Sequence, residues 1–243
     1  MQKAWFEEWF NTKYYHILYQ DRNEEEAKHF ISNLLAFLNL PKNSKILDLA
    51  CGKGRHSKIL NAFSHNVLGV DLSANSILEA KKEESDTLRF ETHDMREVLT
   101  NQKFNAVFNL FTSFGYFDHS EENQKVCSSV SKMLHPKGIF VIDFMNASKV
   151  IRKLIAQENK VIGGISFNIT RSFDGTHLVK DIQFSDEGRD FHFTERVQAL
   201  KFEDFKSLLS PNFTIKETFG SFQLDAFSED NSDRLIIIAE LKI

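Results

Sequence analysis

Gly52 and Gly54, separated by one lysine, close an apolar run that carries a single acid: Ile46-Leu47-Asp48-Leu49-Ala50-Cys51-Gly52-Lys53-Gly54. The run reads as a buried parallel strand ending at Ala50, and a helical pattern opens at Arg55. A strand–turn–helix junction of this kind turns backbone N–H groups toward whatever lies beyond the carboxyl ends of the strands. Glycine suits the turn because a side chain would hold a ligand away and because positive φ costs it little. These residue types in this order point to a nucleotide-type cofactor. The dinucleotide fingerprint needs a third glycine, and Arg55, His56 and Ser57 occupy its place. A P-loop fails too, since no Lys-Ser/Thr pair follows Gly54. Asp48, a carboxylate inside the strand, favours a cationic ligand over a pyrophosphate. A second acid, Asp71, ends the next apolar run (residues 66–71). It lies near the spacing at which a carboxylate on the second strand binds both ribose hydroxyls of an adenosine.

Asp48 through Gly54 meets the form D-x-x-x-G-x-G at every defined position, and here the chain resembles the class I S-adenosylmethionine (SAM)-dependent methyltransferases. Gly69-Val70-Asp71-Leu72-Ser73 is similar to the strand, terminal acid and following helix of the same family. The resemblance implies S-adenosyl-L-methionine as cofactor, held by Asp48, Ala50, Cys51, Gly52, Gly54, Asp71, Leu72 and Ser73. It implies Asp94 as acceptor for the adenine amino group, Met95 lining the base, and Asn109, Leu110 and Phe111 beside the transferred methyl. Family members that methylate exocyclic amines or amides carry N-P-P-aromatic at this last place. Asn109-Leu110-Phe111-Thr112 lacks both prolines and departs from that subgroup. The stretch Asn109 to Phe117 and the C-terminal segments Phe219-Gly220-Ser221-Phe222 and Asp233 to Ile237 resemble a bacterial small-molecule-type group with an inserted antiparallel β region.

A scaffold that brings these residues together is legible in outline. Aromatics crowd residues 5–19, with Trp5/Trp9 and Phe6/Phe10 at i,i+4 spacing, so a short amphipathic helix is expected. Plain packing accounts for such a stretch; a flap over the cofactor, with Tyr14, Tyr15 or Arg22 touching it, is the sharper reading. Arg22 offers a fork for the α-carboxylate of an amino-acid cofactor. Asn23 followed by three glutamates resembles a capping box before a helix whose stripe is Ala27, Phe30, Ile31, Leu34, Leu35 and Leu38. Strands are expected at 45–50, 66–71, 87–92, 104–110 and 139–144. Helices are expected after Gly54, from Ser73 to Lys82, at 121–134 and at 148–157. Three β-like runs at 161–168, 178–184 and 191–199 are separated by Asp174-Gly175 and Glu187-Gly188, which are turn signals. A helix at 202–209 and strands at 214–222 and 234–243 complete the chain.

The fold class expected is α/β: a Rossmann-like, mostly parallel seven-stranded sheet with helices on both faces. An antiparallel C-terminal hairpin and an inserted antiparallel meander are added to it. The expected division is a flap (1–22), a cofactor core (23–158), a substrate-side insertion (159–200) and a C-terminal completion of the sheet (201–243). Within the insertion, His177, His192, Glu195 and Arg196 are the polar residues to test, with sheet-pair decoration as the plain alternative.

At 243 residues, 42% hydrophobic and 26% charged, the composition is that of an ordinary globular protein. A net charge of −4 speaks against a strong nucleic-acid footprint. Cys51 and Cys127 form no C-x-x-C and no metal-ligand spacing, so reduced thiols in a cytoplasmic protein without a metal are expected. No leader pattern or membrane-length apolar run is seen, and a small-molecule partner is expected. Because a sulfonium methyl is already activated, the chain's tasks are alignment and exclusion of water. A base is needed only where the acceptor is protonated. Tyr116, His119 and His192 are the candidates, in that order. The favoured activity is methyl transfer to N or O of a small molecule; RNA modification and a non-catalytic SAM-binding sensor are the alternatives.

Overall fold

The computed structural model describes residues 5–20, 24–111 and 113–243; Arg22, the Asn23 cap and Thr112 lie outside them. The aromatic N-terminal stretch makes two helices rather than one, α1 (Trp5–Trp9) and α2 (Lys13–Leu18). Thr12 separates them, its hydroxyl accepting from the Tyr15 amide as an N-cap. Next comes α3 (Glu24–Leu38), whose three glutamates in the first turn suit the helix dipole and whose face of Ala27, Phe30, Ile31, Leu34 and Leu35 is buried.

The core then alternates: β1 (Lys45–Leu49), α4 (Arg55–Ala62), β2 (Asn66–Asp71), α5 (Ala74–Ala80), β3 (Leu88–Thr92), β4 (Phe104–Asn109), α6 (Ser120–Met133) and β5 (Leu134–Met145). Ser73 caps α5 through its hydroxyl, and a 3-10 turn (Lys81–Glu83) extends that helix. After α7 (Ala147–Arg152) come β6 (Gln157–Ile162), β7 (Ile165–Phe173), β8 (His177–Asp186) and β9 (Arg189–Gln198). The last elements are α8 (Phe202–Leu209), β10 (Phe213–Phe219) and β11 (Arg234–Leu241).

Seven strands form one sheet in the order β10-β11-β5-β4-β1-β2-β3, and β6 to β9 form a separate four-stranded antiparallel sheet. The pairs β1/β2, β1/β4, β2/β3 and β4/β5 are parallel, while β11 runs antiparallel to both β5 and β10. Side chains alternate faces along each strand. Leu47 and Leu49 of β1 therefore meet α6 and α8, while Ile46 meets α3 and α4. The strand order reverses between β1 and β4, and ligands of open α/β sheets bind beyond the carboxyl ends at such a point.

Two local expectations are corrected. The helix expected at 148–157 stops at Arg152, and Gln157 already pairs in β6. Residues 161–168 are two strands, because Gly163 and Gly164, at φ 57° and 80°, make a two-residue hairpin turn between Ile162 and Ile165.

Candidate active site

A cleft of about 400 Å³ opens at the β1/β4 reversal. Its floor is the turn after β1. Ala50 takes positive φ (62°) without being glycine, and the Cys51 amide donates to the Val70 carbonyl, 2.9 Å, which locks the turn to β2. The two glycines have different tasks. A Cβ on Gly52 (φ 57°) would meet nothing within 4 Å, so Gly52 leaves open floor for a ligand. A Cβ on Gly54 (φ 78°) would stand 2.5 Å from the Phe90 ring, so Gly54 lets α4 approach β3.

Asp71 sits at the end of β2 and lines the cleft. Its Oδ2 accepts from the Gly52 amide and its Oδ1 from the Ser73 amide, each 2.8 Å. Burial raises its pKa, and those two amide bonds work against the rise. An ionised carboxylate has about four lone-pair sites, so two remain for hydroxyls of a ligand. Asp48 is farther in, 1% exposed, and does not line the cleft. The Ser57 hydroxyl donates to it at 2.5 Å, yet burial and the nearby Asp71 push its pKa up to about 6. Burial also pushes the Cys51 thiol far up, which removes it as a neutral-pH nucleophile.

The cleft wall carries Leu72, Asp94, Met95 and Leu110. The Asp94 carboxylate is engaged by Arg96, through its backbone amide at 2.9 Å and its guanidinium at 2.6 to 3.1 Å. Burial opposes ionisation there, but the Arg96 bonds prevail and hold Asp94 below the usual carboxylate range. Arg96 also bonds Glu122 and lies over the Phe117 ring. Beyond β4, Phe111 lines the cleft with φ 66°, a strained value for an aromatic residue. Its amide donates to Asp143 at 2.9 Å. Asn109 is fully buried instead; its Nδ2 donates to the Leu49 carbonyl, and its Oδ1 has no partner among the described residues.

The roof comes from the N-terminus: Phe6, Phe10, Tyr15, His16 and Tyr19 all line the cleft. Trp9 Nε1 and the Tyr19 hydroxyl donate to Glu195 of β9, at 2.7 and 2.8 Å, and Lys180 of β8 completes the cluster. At the other end Ser73 donates to Asn11 at 2.7 Å. The roof thus spans from the four-stranded sheet to the start of α5. That sheet contributes no lining to this cleft; it packs Phe167, Ile182 and Phe184 beneath α1 and α2.

Several expected contacts are therefore not placed at the cleft. Tyr14 turns away, its ring against Phe184 and Phe191 and its hydroxyl donating to Asp186. Ser73 is spent on its cap and on Asn11. Of the three candidate bases, Tyr116 lines the cleft beside Phe10. His119 is exposed just before α6, and His192 faces solvent on β9 against Asp181. His177 and Arg196 cluster with Asp174 at a hairpin end, and Glu195 anchors the roof. Arg55, His56, Lys58 and His93 on the walls are among the residues missed, as are Phe6, Phe10, His16 and Tyr19 in the roof. The first three face the cleft because the first turn of α4 rises from the glycine turn, a signal already contained in that motif.

The residues fit S-adenosyl-L-methionine: an acceptor carboxylate with free lone pairs, an open glycine floor and apolar walls for a base. Residues 40–193 match the family model described as a methyltransferase domain. The chain is 32% identical over 103 residues to the dTDP-3-amino-3,4,6-trideoxy-alpha-D-glucopyranose N,N-dimethyltransferase of Streptomyces venezuelae, a match spanning 42% of this chain and 43% of that one. It thus spans less than half the length of that curated relative. It is 27% identical over 214 residues to the protein named "Putative methyltransferase YqeM" of Bacillus subtilis (strain 168), covering 83% of this chain and 86% of that one. A SAM-dependent methyltransferase of Clostridium acetobutylicum ATCC 824 shares the fold, with a TM-score of 0.80 at 22% identity over 95% of this chain and 96% of that one.

Proposed function

The chain belongs to the methyltransferase-domain family, and from that premise we propose that it is a SAM-dependent enzyme that methylates a nitrogen or an oxygen of a small polar molecule. The observation that carries this reading is the cleft lined by the α1/α2 aromatics: a space of about 400 Å³ is on the scale that takes small ligands. The relation to a dimethyltransferase named for an amino sugar supports an amine as first choice.

Bound there, SAM would supply a methyl already activated by the sulfonium charge. The chain's part is to hold the ribose on Asp71, admit the amino-acid end over Gly52 and line the base with Leu72 and Met95. Asp48, buried behind the turn with its proton held up to about pH 6, acts on the positive end without touching it, more favourably once ionised. Leu110 and Phe111 close the far side of the cleft, and the aromatic roof excludes water. Such alignment supplies as much as roughly 7–11 kcal/mol of a barrier. Tyr116, which lines the cleft beside Phe10, is the candidate to take a proton from the acceptor's reacting atom where that atom meets the methyl. In this reading residues 23–158 and 201–243 are the cofactor core, 1–22 the flap, and 159–200 the substrate-side region, whose four-stranded sheet also carries the flap.

The test is transfer of tritiated methyl from SAM to a panel of small amino sugars and a bacterial polar-metabolite extract. Label in a small molecule, with demethylated cofactor released in equal amount, is the expected result. Label in added RNA instead, or tight cofactor binding with no transfer to any fraction, would overturn the proposal.

A further inference from the structure

A second hollow, about 570 Å³, adjoins the first. Four residues line both: Tyr19, Arg55, His56 and Phe111. Its far walls come from α3, β6, the end of β5 and Phe222, with Glu26, Lys160 and Asp143 among them, so charges of both signs face it. The first hollow holds the features that suit adenosine and the glycine floor; the second holds none of them. Phe111, just past the end of β4, is therefore the partition between a cofactor space and another space large enough for a small polar ligand.

The partition is held deliberately. Phe111 keeps positive φ although it is bulky, a state that persists only where its surroundings over-determine it. Asp143, 1% exposed, supplies that restraint: its Oδ2 accepts from the Phe111 amide at 2.9 Å, and its Oδ1 accepts from Arg234 at 2.8 Å. Arg234 in turn lies over Phe222 on the second hollow's wall. From the other side the Arg55 guanidinium covers the Phe111 ring, 5.6 Å from its centroid.

We infer that the methyl acceptor binds in this second hollow and reaches the methyl past Phe111, with Asp143 as the positioning residue that sets the partition. This rests on the proposed function and adds to it the acceptor's place and the side chain that governs its approach. The acceptor class it points to is a small polar molecule carrying both donors and an ionisable group, met by Glu26 and Lys160.

Three variants test it, each read by calorimetry with S-adenosylhomocysteine and by tritiated-methyl transfer to the same extract and amino-sugar panel. Val161→Trp adds bulk to a side chain that lines the second hollow and is 75% exposed. It is expected to bind S-adenosylhomocysteine within twofold of the parent and to lose transfer at least tenfold, chiefly through acceptor KM. Asp143→Asn is expected to lower kcat at least tenfold with cofactor binding within threefold, and Asp143→Glu to recover part of kcat. Undiminished transfer by Val161→Trp would overturn the acceptor's placement. Loss of S-adenosylhomocysteine binding by Asp143→Asn, equal to its loss of transfer, would overturn the positioning role. Failure of the parent protein to bind S-adenosylhomocysteine would instead contradict the cofactor reading itself.

Discussion

Gly52 and Gly54 look interchangeable as letters, yet they answer to different physics. Gly54→Ala forces a Cβ to within 2.5 Å of a ring that is 1% exposed, at a φ of 78°. Overpacking and strain together cost about 2 kcal/mol or more, so a urea midpoint falls while cofactor affinity changes little in the folded fraction. Gly52→Ala meets no neighbour and costs about 1 kcal/mol of backbone strain, but it should weaken S-adenosylhomocysteine binding at least tenfold. A reversed pattern in calorimetry and denaturation would refute that division. Asp48 gives a pH signature. Its carboxyl holds a proton up to about pH 6 in the fold but only to the ordinary carboxylate pKa, near 4, when unfolded. The folded state thus binds the extra proton, and stability from this group is lost as pH rises through about 6 and recovered toward pH 4. Asp48→Asn should therefore be more stable than the parent at pH 8 by roughly 1–3 kcal/mol, with the advantage gone at pH 4. A destabilised Asp48→Asn at pH 8 would argue against an ionised, buried carboxylate. The motif itself was legible because its residues are contiguous. The occupation of Asp94 by Arg96 and the turning away of Tyr14 toward Asp186 were not, since both depend on partners that only the folded geometry chooses.

Among the elements, the four-stranded sheet acts on the cleft at one remove. Its inner face carries Phe167, Ile182 and Phe184, α1 and α2 pack on that face, and those helices then roof the cofactor space. Turn signals at Asp174-Gly175 and Glu187-Gly188 made most of this meander readable. The first hairpin escaped because the apolar run across Gly163-Gly164 reads continuously, although two consecutive glycines are themselves a turn signal. That the insertion carries the roof rather than lining the cleft rests on Glu195 meeting Trp9 and Tyr19 across the whole length of the chain between them. Glu195→Ala removes the acceptor of the Trp9 and Tyr19 bonds and leaves Lys180 without its carboxylate. Amide exchange across residues 5–20 should then quicken at least tenfold, with cofactor dissociation faster in parallel. Unchanged exchange there would mean that the aromatics alone hold the roof.

As a whole, the molecule follows from a strand order. With β1 and β4 adjacent and their crossovers leaving in opposite directions, the ends of β1, β2 and β4 converge on one crevice. Asp48, Asp71 and Phe111 reach that crevice's surroundings because they lie near the end of β1, at the end of β2 and just past the end of β4. Among the described residues, no helix is long and apolar enough to cross a membrane, and no group of His, Cys, Asp or Glu could hold a metal ion. The measurement that bears most directly on the account is calorimetric titration of S-adenosylhomocysteine into the parent protein and into Asp71→Ala. Losing two charge-assisted bonds to the ribose costs about 3 kcal/mol, so the variant should bind at least a hundredfold more weakly while remaining folded. An affinity within twofold of the parent would mean that the sugar does not rest on Asp71, and the assignment of the cleft would fall with it.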